Sequence, residues 1–148
     1  MKNILIIGMC LILAACASTT SFTPMSGSQG NGPKIALNGF SGFAGQQASD
    51  MVAQELEIQG FDVVSTGGHS TYLMSGTCSA MGGPLYSFPH VNMTAKVVDT
   101  RTGQIVWIGR YGNAMWTSAI STQDDIQRGA HDLIQEFKKT IGKSWGKQ

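Results

Sequence analysis

The segment Val91–Ile108, VNMTAKVVDTRTGQIVWI, constrains the fold more than any other part of the chain. Apolar residues alternate with polar ones from Val91 to Val97, which is the period of a strand with one buried face. Asp99–Gly103 then supplies a turn, since Asp can bond the downstream backbone and Gly permits a positive φ. Ile105–Ile108 is apolar at every position, so we expect an inner strand with a neighbour on each side. The segment predicts a β-hairpin in the middle of a sheet.

Further strands and two amphipathic helices are predicted on either side of this hairpin. The last helix carries apolar residues at spacings of three and four, with Asp124 and Asp125 in its first turn. The order β-α-β-β-β-β-α predicts an α/β (α+β) fold, in which one mixed sheet of about five strands packs against two helices. The expected elements are strands Lys34–Leu37, Phe61–Val64 and Thr71–Cys78, a helix over Gln46–Gln59, and a last helix capped by Ser121 or Thr122 that includes Ile141.

Length and charge restrict the class of protein. A chain of 148 residues is long enough for one domain with a real core and short for two. The net charge is +1, and removal of the first fifteen residues takes away Lys2 and no acidic residue, which leaves the remainder neutral. A neutral domain lacks the basic surface that nucleic-acid binding requires, so that class of partner is not expected.

The amino terminus has the pattern of a cleaved export signal. Lys2 precedes the apolar run Ile4–Leu13, which is too short to span a bilayer, since a spanning helix needs about 20 residues. The run ends at Leu13-Ala14-Ala15-Cys16, which resembles the lipobox of bacterial lipoproteins. The resemblance implies cleavage before Cys16, fatty acylation (palmitate among the chains) of that residue and, with Ala17 next to it, an outer-membrane address. The alternative is an ordinary secretory signal in which Cys16 is incidental.

The predicted organisation is a signal peptide over 1–15, a lipidated Cys16 with a linker through 33, and a single periplasmic domain over 34–148. Ala17–Pro33 is rich in Ser, Thr, Gly and Pro and lacks periodicity. About 17 flexible residues have a root-mean-square span near 22 Å and stretch to about 55 Å, so the domain stays close to the membrane. Cys10 leaves with the signal, and Cys78, without a partner for a disulfide, is expected to be a small buried hydrophobe.

Three segments together resemble a known group of periplasmic domains. They are GQQASDMVAQELEIQGFDVV at Gly45–Val64, TYLMSGT at Thr71–Thr77, and VVDTRTGQIVW at Val97–Trp107. The pattern looks like the α/β domain of curli-secretion-channel (CsgG-type) lipoproteins and of LpoB-type activators of penicillin-binding proteins, and is similar to the amino-terminal domain of TolB. The resemblance implies a fold without catalytic residues. The chain lacks the paired amphipathic strands of the channel formers and the long tether of the synthase activators, so neither specific role transfers to it.

A glycine-rich segment between the first strand and the first helix is a candidate ligand loop. Gly39, Gly42 and Gly45 lie where phosphate-binding loops occur, although G-x-x-G-x-x-G is not the dinucleotide fingerprint. The alternative is a turn with Phe40 and Phe43 as apolar anchors. The histidines show no metal-ligand spacing, and no nucleophile elbow or acid pair is present, so we expect no enzyme, no metal and no cofactor.

A candidate partner-binding loop spans Ala80–Pro89, AMGGPLYSFP. Tyr86 and Phe88 in this Gly/Pro-rich stretch, with Trp116 beyond the hairpin, are expected to form one apolar patch for a protein partner. The alternative is that these rings fold beneath the loop and close the core. The expected function is a non-enzymatic, lipid-anchored periplasmic domain that binds proteins, as an assembly subunit, homo-oligomer or accessory factor at the outer membrane. A cell-wall or small-ligand binding module that uses the Gly39–Gly45 loop is the alternative.

Substitution of Cys16 tests the anchor. Cys16→Ala removes the acceptor for the fatty chains, so the protein should leave the membrane pellet and lose palmitate labelling. Cys10→Ala should leave both unchanged, because the bulky Met9 makes Cys10 a poor acceptor. Mass spectrometry of the purified chain without acyl groups, or a Cys16→Ala variant that still sediments with membranes, would contradict the prediction.

Overall fold

Five strands and two helices follow one another in the order that the sequence predicts. The structure, a computed structural model, describes residues 32–66, 68–83, 86–112 and 121–145. The α/β fold with one mixed five-stranded sheet and two helices is confirmed. The elements are β1 (Lys34–Ser41), α1 (Gly45–Ile58), β2 (Asp62–Val64), β3 (Tyr72–Gly83), β4 (Tyr86–Asp99), β5 (Ile105–Gly112) and α2 (Thr122–Trp145).

The sheet has the strand order β2-β1-β3-β4-β5. β1 runs parallel to β2 and β3, and the hairpins β3–β4 and β4–β5 are antiparallel. The prediction that Ile105–Ile108 is an inner strand is therefore wrong, since β5 lies at an edge and the hairpin occupies one side of the sheet. Ile105 and Ile108 are 54% and 58% exposed, so the apolar run belongs to an exposed edge strand and not to a buried inner strand.

Both helices pack on one face of the sheet. α1 contributes buried Ala48, Val52 and Leu56, and α2 contributes a longer apolar stripe. The strands supply every second residue to the same core, as alternation requires. The core residues on β3, β4 and α2 are Met74, Cys78, Ala80, Val91, Met93, Ala95, Val97, Ile126, Ala130, Leu133, Ile134, Phe137 and Ile141.

Phe137 of α2 lies at the centre of an aromatic cluster. Its ring centroid is 5.3 Å from that of Phe61 and 5.3 Å from that of Trp107, and Tyr72 meets it edge-on at 6.4 Å. These separations and tilted geometries are the ones that aromatic pairs prefer. Because Phe61 precedes β2 and Trp107 lies on β5, one side chain contacts residues from both edges of the sheet.

The predicted turn after β4 is confirmed. Asp99 accepts hydrogen bonds at Oδ1 from the backbone N–H groups of Arg101 and Thr102, each at 2.9 Å, and Gly103 has φ of +70°. The Thr102 N–H bond is the largest of the effects that hold the pKa of the Asp99 carboxyl below its ordinary value. The Thr100 hydroxyl donates to the carbonyl of Ser70, which ties the turn to the residues before β3.

The region predicted as a loop over Ala80–Pro89 is mostly strand. β3 continues to Gly83 instead of ending at Cys78, and β4 begins at Tyr86. Met81 pairs with His90, and Gly83 pairs with Tyr86 after a register shift. The loop was predicted because Gly and Pro are common in turns. In the structure, backbone pairing between β3 and β4 extends the hairpin into this segment.

Polar contacts fix α2 at its start and along its length. Ser121 caps the helix as predicted, because its Oγ accepts from the Asp124 N–H at 3.1 Å and donates to the Asp124 carboxylate at 2.7 Å. His131 is exposed on α2, and its Nδ1 lies 3.0 Å from Glu55 Oε1 of α1. These polar contacts help to fix the position of α2, whereas the stability of the helix pair comes from the buried apolar residues of α2.

Truncation of Phe137 should destabilise the fold strongly. Phe137→Ala removes a fully buried ring and leaves a cavity among three other rings, so the free energy of unfolding should fall by about 3–5 kcal/mol. Phe43→Ala is the matched control, because Phe43 is 94% exposed and its loss should change stability by less than about 0.5 kcal/mol. Urea unfolding followed by circular dichroism measures both. Equal losses for the two variants would contradict this account of the core.

Candidate functional site

The face of the sheet opposite the helices carries a row of aliphatic side chains. Val64 pairs with Ala36, Ala36 with Leu73, Leu73 with Val98, and Val98 with Ile105. Paired residues share a face, and the first four of these residues each lie beside a core residue on their own strand, such as Ile35 beside Ala36, whereas Ile105 is placed on this face by its pairing with Val98. One aliphatic residue from each strand therefore lines up across the sheet. We call Val64, Ala36, Leu73, Val98 and Ile105 the aliphatic row.

From Ala36 on β1 toward β5, the aliphatic row becomes more exposed. Ala36 is 1% exposed, Leu73 and Val98 are half-buried, and Ile105 is 54% exposed. The open face of an antiparallel sheet is normally polar, and a continuous apolar row there is the kind of patch that marks a protein interaction site.

Polar residues border the aliphatic row on both sides. Toward the start of β1, Lys34 pairs with Asp62. Toward the other end of the sheet, Lys96 lies between Ser75 and Ile108, and the hydroxyls of Thr77 and Thr94 are 2.7 Å apart. An apolar centre with a polar rim is the usual anatomy of a protein interface.

The glycine loop packs tightly against the sheet. Gly39 and Gly42 have φ of +73° and +103°, which favour glycine. A Cβ at Gly42 would overlap the carbonyl oxygen of Cys78, and one at Gly45 would overlap that of Phe40. These glycines are explained by the close approach of two backbone segments.

Three backbone N–H groups in and before this loop have partners within the protein. The Phe40 N–H donates to Ser49 Oγ at 2.7 Å, the Ala44 N–H to the Cys78 carbonyl at 3.4 Å, and the Gly45 N–H to the Gly42 carbonyl at 3.0 Å. A phosphate loop needs such groups free to face its ligand. Of the two expected anchors, Phe40 is buried at 7% exposure whereas Phe43 is 94% exposed, so only Phe40 fits that interpretation.

The predicted partner patch is placed only in part. Tyr86 and Phe88 belong to β4 and not to a loop, their side chains lie outside the described part of the structure, and Trp116 lies outside the described residues. The structure does not show these three rings together, so the patch stays a prediction. Near the tip of the same hairpin, Met81 is 64% exposed on the open face.

Cys78 is fully buried in the core, as expected, and its thiol is free. Burial raises the pKa of the Cys78 thiol above its ordinary value, because the apolar core opposes the thiolate. The acceptor Cys16 and the signal residue Cys10 lie outside the described residues.

A buried carboxylate joins β5 to α2. Asp125 is fully buried, and its Oδ1 accepts a hydrogen bond from the Tyr111 hydroxyl at 2.7 Å. Burial, and then the bond to Asp125, raise the pKa of Tyr111, so the phenol stays a neutral donor. Asp125 was expected only as a first-turn acid for the helix dipole, and the pair with Tyr111 could not be read from sequence because it depends on packing.

Other candidate chemistry is sparse in the described part of the chain. It contains no group of three His, Cys, Asp or Glu side chains placed to hold a metal ion. None of its helices combines the length and apolarity needed to cross a membrane.

Comparisons with known proteins identify the fold and not a family. No protein-family model matches the chain. No curated protein matches it either.

Several solved structures share the fold at low sequence identity. PelC from Paraburkholderia phytofirmans, solved as a dodecamer, has 18% identity and a TM-score of 0.55, over 70% of this chain and 86% of that one. XCC0632 from Xanthomonas campestris has 12% identity and a TM-score of 0.55, over 84% and 94%. TolB from Acinetobacter baumannii has 12% identity and a TM-score of 0.50, over 74% of this chain and 28% of that one.

These likenesses define the fold alone. The resemblance to TolB seen in the sequence motifs is confirmed at the level of the fold. The LpoB carboxy-terminal domain and several proteins named as lipoproteins also match, but their TM-scores of 0.45 or less are too low to establish a shared fold. The CsgG-type resemblance stays a prediction from the motifs.

Thiol labelling tests the burial of Cys78. Native Cys78 should react with an alkylating reagent at pH 8 at least about 100-fold more slowly than in denaturant, because burial excludes the reagent and disfavours the thiolate. Ser79→Cys provides a matched site, since Ser79 is exposed on the opposite face of the same strand. Peptide mass spectrometry reads both positions, and rapid native labelling at Cys78 would refute the prediction.

Proposed function

We propose that this chain is a non-enzymatic, lipid-anchored periplasmic domain that binds proteins, as an assembly subunit or accessory factor at the outer membrane. The anchor rests on the sequence Leu13–Cys16, and Ala17 supports the outer-membrane address. The short linker would hold the domain within a few nanometres of the bilayer.

The aliphatic row is the observation that carries this proposal. Both described helices pack on the other face, so the row is an apolar strip with a polar border, most exposed at Ile105. Burial of a fully exposed Val, Leu or Ile side chain contributes about 1.5–3 kcal/mol. The half-buried Leu73 and Val98 would add only a part of that amount on binding, and the more exposed Ile105 a larger part. An apolar strip on the face of a sheet suits a protein surface better than a small ligand, which prefers a concave site.

The comparisons supply secondary support. PelC, which shares the fold, is described as a dodecamer, so this architecture is compatible with an assembly of identical subunits. The Gly39–Gly45 loop offers less support for the cell-wall or small-ligand alternative, because several of its N–H groups already have backbone or side-chain partners.

Charge placed on the aliphatic row should weaken partner binding. Leu73→Lys puts an ammonium group in the strip, so recovery of cross-linked partners with the full, tagged chain should fall about 10-fold, equivalent to about 1.4 kcal/mol. Thr77→Lys is the matched control, because Thr77 is exposed on the same face and strand and belongs to the polar border, outside the aliphatic row. Circular dichroism establishes that both variants fold.

Two results would contradict the proposed role of the aliphatic row. Equal recovery with Leu73→Lys and with the unmodified chain would remove the aliphatic row as the binding surface. Sedimentation of the detergent-extracted full chain with purified sacculi, unaffected by Leu73→Lys, would support the cell-wall alternative in its place.

A further inference from the structure

β5 offers a long strand edge. In the part of the chain that the structure describes, β5 pairs with β4 alone and ends the sheet, so the backbone groups along its other side have no strand partner. β5 has eight residues, whereas β2 at the opposite edge has three. An edge of this length is a template for a further strand.

The side chains of β5 do little to prevent such pairing. Ile105, Val106 and Ile108 are 54%, 37% and 58% exposed, and Arg110 is the single charged residue of the strand. Native edges are usually blunted by charges, proline or bulges. β5 has one irregularity, where Val106 is the extra residue between the pairs Val97–Trp107 and Val98–Ile105, and the pairing from Trp107 to Gly112 is regular.

We propose that β5 pairs antiparallel with β5 of a second copy of this chain, so that two sheets join into one across a two-fold axis. The inference rests on the proposed function, which it deepens by naming a partner and a surface. An extended strand can form hydrogen bonds with the backbone groups along the outer side of β5. In a two-fold arrangement, both of the paired strands are β5, one from each copy.

The sequence of β5 is compatible with its own copy. With the axis at Ile108, this half-exposed residue meets its counterpart on the open face, and Val106 lies opposite Arg110 of the other copy. The two Arg110 positions are then four residues apart along the strand, about 14 Å, which exceeds the screening length of about 8 Å. Self-pairing therefore buries an aliphatic contact without opposing like charges.

The size of the contact indicates a weak dimer. One strand edge buries less than the roughly 1,200 Å² of a stable complex, so the isolated chain should associate weakly. Anchoring of both copies to one membrane would raise the effective concentration of each around the other. The dimer is therefore expected to be more populated in the membrane than in dilute detergent.

Cross-linking in membranes tests the pairing. The full chain with Ile108→Cys, treated with a short bismaleimide in isolated membranes, should give a covalent species of twice the monomer mass. Lys96→Cys is the matched control, since Lys96 pairs with Ile108 on the same face one strand inward and would lie about 14 Å from its counterpart. The unmodified chain measures any background from Cys78. The Ile108→Cys dimer band should exceed the Lys96→Cys band at least 10-fold.

A second pair of variants separates loss of pairing from loss of fold. Ile108→Arg should abolish dimerisation in analytical ultracentrifugation at high concentration, while Ile58→Arg, at a residue that is 66% exposed on α1, should not. Equal cross-linking at residues 108 and 96, an Ile108→Arg variant that still dimerises, or a cross-linked product that contains a different protein would each overturn the proposal.

The two proposals fail separately. If β5 does not pair while Leu73→Lys still reduces partner recovery, the pairing is wrong and the protein-binding function stands. If the reverse is found, the chain self-associates through β5 and the aliphatic row is not its binding surface.

Discussion

The fold depends on the packing of Phe137 against three aromatic rings. Phe61 leads into β2, Tyr72 begins β3 and Trp107 lies on β5, so a single side chain of α2 contacts both edges and the middle of the sheet. Burial of so much apolar surface at one point fixes the position of α2 across the strands. The contact between His131 and Glu55 then links α2 to α1, in a position that the packing of the rings already determines.

One-sided packing explains both the core and the candidate site. Two helices cover one face of five strands, and the residues between the core positions remain on the other face. Most of them are polar, such as Thr77 and Thr94, as expected for a solvated sheet face. The aliphatic row departs from this rule, and conflicts between a local pattern and its surroundings are where functional surfaces are usually found.

The strands and helices could be predicted because their signals are local. Alternation from Val91 to Val97 and the turn at Asp99 depend on neighbours in sequence, and both are confirmed. The position of β5 could not be predicted, since an apolar run reads the same for an inner strand and for an uncovered edge. The aliphatic row was missed for a related reason: its members stand far apart in the chain and meet only through strand register.

The parallel pairing of β1 with β2 and β3 gives the domain two unlike ends. All three strands begin at the end where the chain enters through Gly32, and β1 stops opposite Thr77 while β3 continues to Gly83. The extra residues carry the β3–β4 ribbon about 20 Å beyond β1. In a domain held through its amino terminus, the tip of this ribbon would therefore lie at the end of the sheet farthest from the point of attachment.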